Sequence, residues 1–109
     1  MTLTIAGLQH DGVPGDVDAN LAIIADAARQ AVAQGARVLV TPEMFVTGYN
    51  IGARLAPLAV PELVDRVAAV AVETGIAIIA GLPEQHPDGG ITNSLVVIDR
   101  DGTELLRYR

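Results

Sequence analysis

An α/β fold built on a mixed sheet is what this sequence predicts, and three observations predict it. Short apolar runs of strand type recur along the chain, separated by two long stretches whose apolar residues return every three or four positions. The first two runs are joined through the first helical stretch, a βαβ connection that makes those two strands parallel. The last two runs flank Asp99-Arg100-Asp101-Gly102, a hairpin turn signal that makes them antiparallel.

The first strand is expected over residues 4–9, a mostly apolar run with no helical period. Residues 10–15 read as a loop punctuated by glycine and proline. Asp16 suits the N-cap of a first helix over residues 17–34, and Asp18 adds negative charge near the positive end of its dipole. Val17, Leu21, Ile24, Ala28, Ala31 and Val32 form its apolar stripe, with Asn20, Asp26, Arg29 and Gln30 on other faces. Gly35 supplies the left-handed residue that ends it.

The second strand lies in Arg37-Val38-Leu39-Val40-Thr41-Pro42-Glu43-Met44-Phe45. Val38, Leu39 and Val40 read as a short buried strand, and Pro42 stops it because it has no N–H for a ladder. Residues 47–52 carry the glycine spacing of a folded-back loop, and Pro57 and Pro61 keep the next ten residues from forming one long helix. Pro61 fits the first position of a second helix running to residue 74. Leu63, Val67, Val70 and Ala71 form its stripe, Glu62 and Arg66 its i,i+4 pair, and Gly75 its close. A third strand, buried on both faces, is expected over residues 76–80, then a polar loop over 81–90. Strands over 92–99 and 103–108 complete the set. Two long helices cannot easily cover both faces of such a sheet, so the sequence reads as the first part of a domain.

Bulk composition narrows the function. At 109 residues the chain suits one domain, and with half its residues apolar and 18% charged it should fold around a core. A net charge of −6, with seven scattered arginines and no lysine, argues against nucleic acid. No apolar run approaches the length of about 18 residues that a membrane span needs. The N-terminus has no signal-peptide pattern, so a soluble, cytoplasmic protein is expected. The absence of cysteine removes disulfides, thiolate metal sites and any cysteine nucleophile from these residues. His10 and His86 are far apart in sequence and read as solvated loop residues, so neither a metal nor another cofactor is expected.

The residue that stands out is Glu43. It follows a buried strand at its carboxyl end, where open α/β sheets collect ligands and chemistry. Thr41-Pro42-Glu43 also reads as the N-cap and first two residues of a helix, where an acid merely complements the dipole. Phe45 and Tyr49 are candidates to line a substrate pocket, against a plain core role. Asn93 is a candidate to orient the loop beside the site, or else bonds turn backbone. Glu84 follows Pro83 as Glu43 follows Pro42, and is a further candidate acid placed in the polar loop.

Several blocks together carry a family resemblance. They are Gly15-Asp16-Val17-Asp18-Ala19-Asn20-Leu21, Gln34-Gly35-Ala36, Val38 through Phe45, Thr47-Gly48-Tyr49, Gly81-Leu82-Pro83-Glu84, and Thr92 through Gly102. In this order the chain resembles the N-terminal part of the nitrilase superfamily, the carbon–nitrogen hydrolases, with an amidase-like run at Glu43-Met44-Phe45-Val46-Thr47-Gly48-Tyr49. The resemblance implies an α-β-β-α sandwich, of which this chain is an incomplete part with two main helices, and a homo-oligomer when complete. It implies a Glu–Lys–Cys triad in which Glu43 matches the glutamate and takes the proton of the attacking cysteine. A small amide would be the substrate, less readily a nitrile or N-carbamoyl compound, and the product of attack is a thioester that water then hydrolyses. The lysine is expected just after the fifth strand and the cysteine later still, both outside residues 1–109. The chain alone is therefore expected to be inactive. The alternatives are a truncated, non-catalytic α/β module kept for binding or assembly, and a small doubly wound domain of receiver type.

Overall fold

The computed structural model describes residues 2–109, and among them the strands are β1 (Ile5–Gly7), β2 (Val38–Val40), β3 (Ala77–Gln85), β4 (Ile91–Ile98) and β5 (Glu104–Tyr108). The helices are α1 (Val17–Ala33), the single turn α2 (Leu55–Leu58) and α3 (Glu62–Thr74). The five strands form one sheet in chain order. β1, β2 and β3 are mutually parallel, whereas β3–β4 and β4–β5 are antiparallel. The mixed α/β sheet expected from the sequence is the sheet observed.

The local signals act as their chemistry requires. The Asp16 side chain accepts a hydrogen bond from the Ala19 N–H at 3.0 Å and caps α1. Gly35 (φ 85°) and Gly75 (φ 73°) take the left-handed conformation that ends α1 and α3. Both long helices pack side by side on one face of the sheet, as two right-handed crossovers between sequential strands demand. Their stripes meet Leu39, Ile78, Ala80, Leu82, Val96 and Ile98 from the strands. Ile24, Val67, Ile78 and Ile98 are fully buried. Each such side chain is worth about 1.5–3 kcal/mol relative to exposure.

Among the described residues no helix packs on the opposite face. The register places Ile5, Val38, Val40, Ile79, Leu95, Val97, Leu106 and Tyr108 there. Ile5 and Leu106 are each 57% exposed, and the five residues between them in the sheet are only partly covered. The third strand, expected to be buried on both faces, is thus closed on one and open on the other.

Four further details depart from the sequence reading. Residues 81–85 are strand rather than polar loop. Gly81 directs both its N–H and its C=O toward the β2 side, so Pro83, two residues on, faces that side too. β2 has ended by then, and a missing N–H there costs no ladder bond. Asn20 is fully buried instead of lying on an outer face, whereas Val32 is 43% exposed and leaves the α1 stripe. Arg66 bonds Asp18 of α1 at 2.6 Å rather than Glu62 of its own helix, tying the two helix starts together. Because the pair is exposed it adds only about 0.2–1 kcal/mol. Both histidines are loop residues, as expected, but each has a partner. His10 Nδ1 accepts from the Gly12 N–H at 2.8 Å while its ring meets Phe45 edge-on, and His86 Nε2 lies 2.9 Å from Thr92 Oγ1.

Among the described residues no helix is long and apolar enough to cross a membrane.

Candidate active site

The turn that carries Glu43 is built from its neighbours. The Thr41 N–H donates to Ile79 O at 3.0 Å, continuing the β2–β3 ladder one residue beyond β2. Pro42 then ends pairing, and no helix follows, which removes the N-cap reading of Thr41-Pro42-Glu43. Residues 43–47 form a compact turn, closed by Phe45 N–H to Pro42 O (3.3 Å) and Gly48 N–H to Met44 O (2.8 Å). Met44 sits at φ 55°, left-handed backbone that costs a side-chain-bearing residue about 1–2 kcal/mol. Such strain persists only where the surroundings over-determine it.

Two elements supply that constraint. From β3, the Gly81 N–H donates to Thr41 Oγ1 (3.1 Å), while Gly81 O accepts from the Val46 N–H (3.2 Å). The approach is close enough that a Cβ on Gly81 would lie 2.5 Å from Met44 N and 2.8 Å from Pro42 O. From α1, buried Asn20 accepts from the Val13 N–H at 2.7 Å and donates Nδ2–H to Val13 O (3.0 Å) and Val46 O (3.2 Å). Asn20 therefore stitches the loop before α1 to the turn bearing Glu43.

Thus held, Glu43 faces the open side of the sheet. Its Oε1 accepts a hydrogen bond from Asn93 Nδ2 on β4 at 2.6 Å, and its other oxygen has no partner among the described residues. Both residues border a cleft of about 310 Å3, completed by Thr41, Gly81, Ser94, Leu95 and Tyr108. A strand-borne amide holding one carboxylate oxygen leaves the other to give or take a proton at a fixed place. Asn93 therefore bonds the candidate acid and not turn backbone. A larger depression of about 720 Å3 lies on the helix side, between the start of α1 and the residues leading into α3. Of its charged side chains, Arg66 pairs with Asp18 and Asp16 caps α1, leaving Glu62 at the start of α3. We place the site in the smaller cleft.

The remaining candidates lie elsewhere. Phe45 is 4% exposed and belongs to the core. Tyr49 is 67% exposed in the loop beyond the turn and does not border the cleft. Glu84 occupies the helix side of β3, where Arg107, Arg109 and Ser94 bond it. The hydrogen bond from Arg109 does most to hold its carboxyl down to about 2, burial opposes this, and Arg107 adds to the lowering. A carbon NMR titration of this side chain should find that midpoint near 2 rather than at the ordinary 4.5. Any stability it contributes is present above pH 4.5 and is lost as pH falls through about 2. Sequence reasoning missed Tyr108, Thr41, Gly81 and Asn20. Only Asn20 left a signal, as a polar residue beside Leu21 at the inward spacing of α1.

Fold and cleft define the class: an α/β sheet with its candidate acid at the carboxyl end of a parallel strand, where enzymes of this architecture keep their sites. The carbon–nitrogen hydrolase family model matches residues 2–109. The chain belongs to that family, within the nitrilase superfamily. A Pseudomonas protegens protein, "Hydrolase in pqqF 5'region", is 40% identical, with 97% of this chain and 42% of the relative covered. An aliphatic nitrilase of Sinorhizobium fredii is 35% identical over 92% of this chain and 34% of its own length. The chain thus spans well under half of these relatives. Among solved structures, the amidase of Nesterenkonia sp. AN1 is similar. A cysteine-to-alanine variant in complex with butyramide has a TM-score of 0.86 at 35% identity, covering 98% of this chain and 42% of that one. A glutamate-to-glutamine variant, with acrylamide added at the active site cysteine, has a TM-score of 0.85 at 34% identity, covering 99% and 44%.

Proposed function

We propose that these residues form the glutamate-bearing part of an amidase-type carbon–nitrogen hydrolase, with Glu43 as its general base. The observation that carries this reading is the Glu43 carboxylate, held by Asn93 at 2.6 Å over a cleft on the open sheet face. The chain holds no cysteine and no lysine, so the nucleophile and the cation of a Glu–Lys–Cys triad would come from sequence beyond these residues. The apolar open face supports this, because a second sheet laid on it would bury Ile79, Leu95 and Val97 and enclose the cleft.

In this mechanism Glu43 takes the thiol proton as sulfur attacks the amide carbon. The S–C bond forms, the C–N bond breaks, and the proton passes to the departing nitrogen, which leaves as ammonia or an amine. Glu43 next deprotonates water as it attacks the thioester, and the acid and free thiol are released. Asn93 keeps the carboxylate on one trajectory through both steps, and Tyr108 and Leu95 would flank the acyl group. The substrate is a small aliphatic amide, as the size of the cleft and the butyramide bound by the similar amidase suggest.

The 109-residue chain by itself is expected to release no ammonia from simple amides, and Glu43→Gln in the full-length protein to lower kcat by roughly 10²–10⁴-fold. Saturable turnover by the chain alone, or an unchanged kcat in the variant, overturns the reading.

A further inference from the structure

Glu84 lies on the opposite face of the sheet from the cleft, yet it is the most heavily bonded carboxylate in the structure. Its side chain is 14% exposed. Oε2 accepts from Arg107 Nη1 at 2.8 Å and Arg109 Nη2 at 2.9 Å; Oε1 accepts from Arg109 Nε at 2.7 Å and Ser94 Oγ at 3.3 Å. Arg109 thus grips it with two parallel bonds, the strong and directional form of this contact.

The two arginines flank Tyr108. Side chains alternate along a strand, so Arg107 and Arg109 on the helix side place Tyr108 on the other, beside Leu95 and within the wall of the Glu43 cleft. Among the described residues β5 pairs with β4, and Tyr108 stands opposite Leu95 in the last pair of that ladder. The last pair of a ladder opens most readily unless something else holds it. Arg107 also bonds Glu104 at 2.6 and 2.9 Å, but that pair lies within β5 and anchors it to nothing. Glu84 is the acid that ties the strand's end to β3.

We infer that Glu84 is a positioning residue: acting through Arg107 and Arg109, it fixes the end of β5 and so sets Tyr108 as the wall of the cleft that Glu43 serves. The link to catalysis rests on the proposed role of that cleft; the hold on Tyr108 does not. Glu84 touches no substrate in this arrangement, since the sheet separates it from the cleft.

The test uses the full-length protein labelled with 3-fluorotyrosine, with Tyr108→Phe and Tyr49→Phe assigning two fluorine resonances. Glu84→Gln keeps the shape but removes the charge. It should move the Tyr108 resonance toward its denatured position and leave Tyr49 in place. Should Glu84→Gln unfold the protein, both resonances move. Arg109→Gln, which spares the Arg107 contact, then decides by shifting Tyr108 alone. A Tyr108 resonance unmoved by Arg109→Gln and by folded Glu84→Gln overturns the inference. In amide hydrolysis Glu84→Gln should lower kcat/KM about tenfold, as small displacements of a site wall do. A shifted Tyr108 with unchanged kcat/KM removes the catalytic link. An unchanged kcat in Glu43→Gln instead removes the reading of the cleft and leaves the fluorine result standing.

Discussion

Gly81→Ala is expected to dislodge the Glu43 turn and to cause one of the largest losses of any single methyl added to this chain. The new Cβ would meet Met44 N at 2.5 Å and Pro42 O at 2.8 Å, both backbone atoms with no flexible end to swing away. Separating β3 from the turn stretches Val46 N–H to Gly81 O (3.2 Å) and Gly81 N–H to Thr41 Oγ1 (3.1 Å). Overpacking of this kind costs about 1–3 kcal/mol, and each stretched bond about 1 more. The activity loss should be larger in proportion, because a shift of about 1 Å in a catalytic group costs roughly a hundredfold in rate. Gly7→Ala is the control: a Cβ there meets nothing within 4 Å. Urea midpoints of the two variants, with kcat in the full-length protein, decide the matter. Equal midpoints and equal kcat would show that the close approach of β3 does not hold the turn.

That dependence explains which parts of the molecule could be read in advance. The helices and strands announce themselves through apolar period, and Asp16, Gly35 and Gly75 mark helix ends by local chemistry that needs no partner. Glu43 was legible because Pro42 ends its strand. The contacts that hold Glu43 join residues far apart in sequence: Gly81 to Thr41 across 40 positions, Asn93 to Glu43 across 50. Composition does not encode such pairings. Gly81 and Pro83 even misdirect, since both residues suggest a turn. Here one permits close approach and the other falls where β2 has already ended. Arg66 likewise had a partner at the right helical spacing in Glu62 and took Asp18 from the neighbouring helix instead. Tyr108 was invisible as a cleft residue because its placement depends on which face β5 presents. That face follows from a register shift no periodicity reveals.

Asn20→Asp should be nearly as damaging as Gly81→Ala, and its damage should depend on pH. The substitution keeps size and shape but turns Nδ2, a donor to Val13 O (3.0 Å) and Val46 O (3.2 Å), into an oxygen facing two acceptors. The site is fully buried. Losing both bonds and leaving two carbonyls unpaired costs about 3 kcal/mol or more, before any cost of burying charge. Burial and two facing carbonyls raise the carboxyl above its unfolded value of about 3.9. The sign follows from linkage: a folded state that holds its proton more tightly loses stability as pH rises between the two values. The gap from the parent should therefore be smallest below about pH 4 and widen with rising pH until the folded carboxyl has ionised. Asn50→Asp, at an exposed position, should show no such trend. Urea unfolding of parent and both variants across pH 3–8 tests this directly. A small, pH-independent gap for Asn20→Asp would mean that the 10–16 loop and the Glu43 turn hold their places without it. Gly15 N–H to Thr47 O, at 2.8 Å, would then be the bond that joins them.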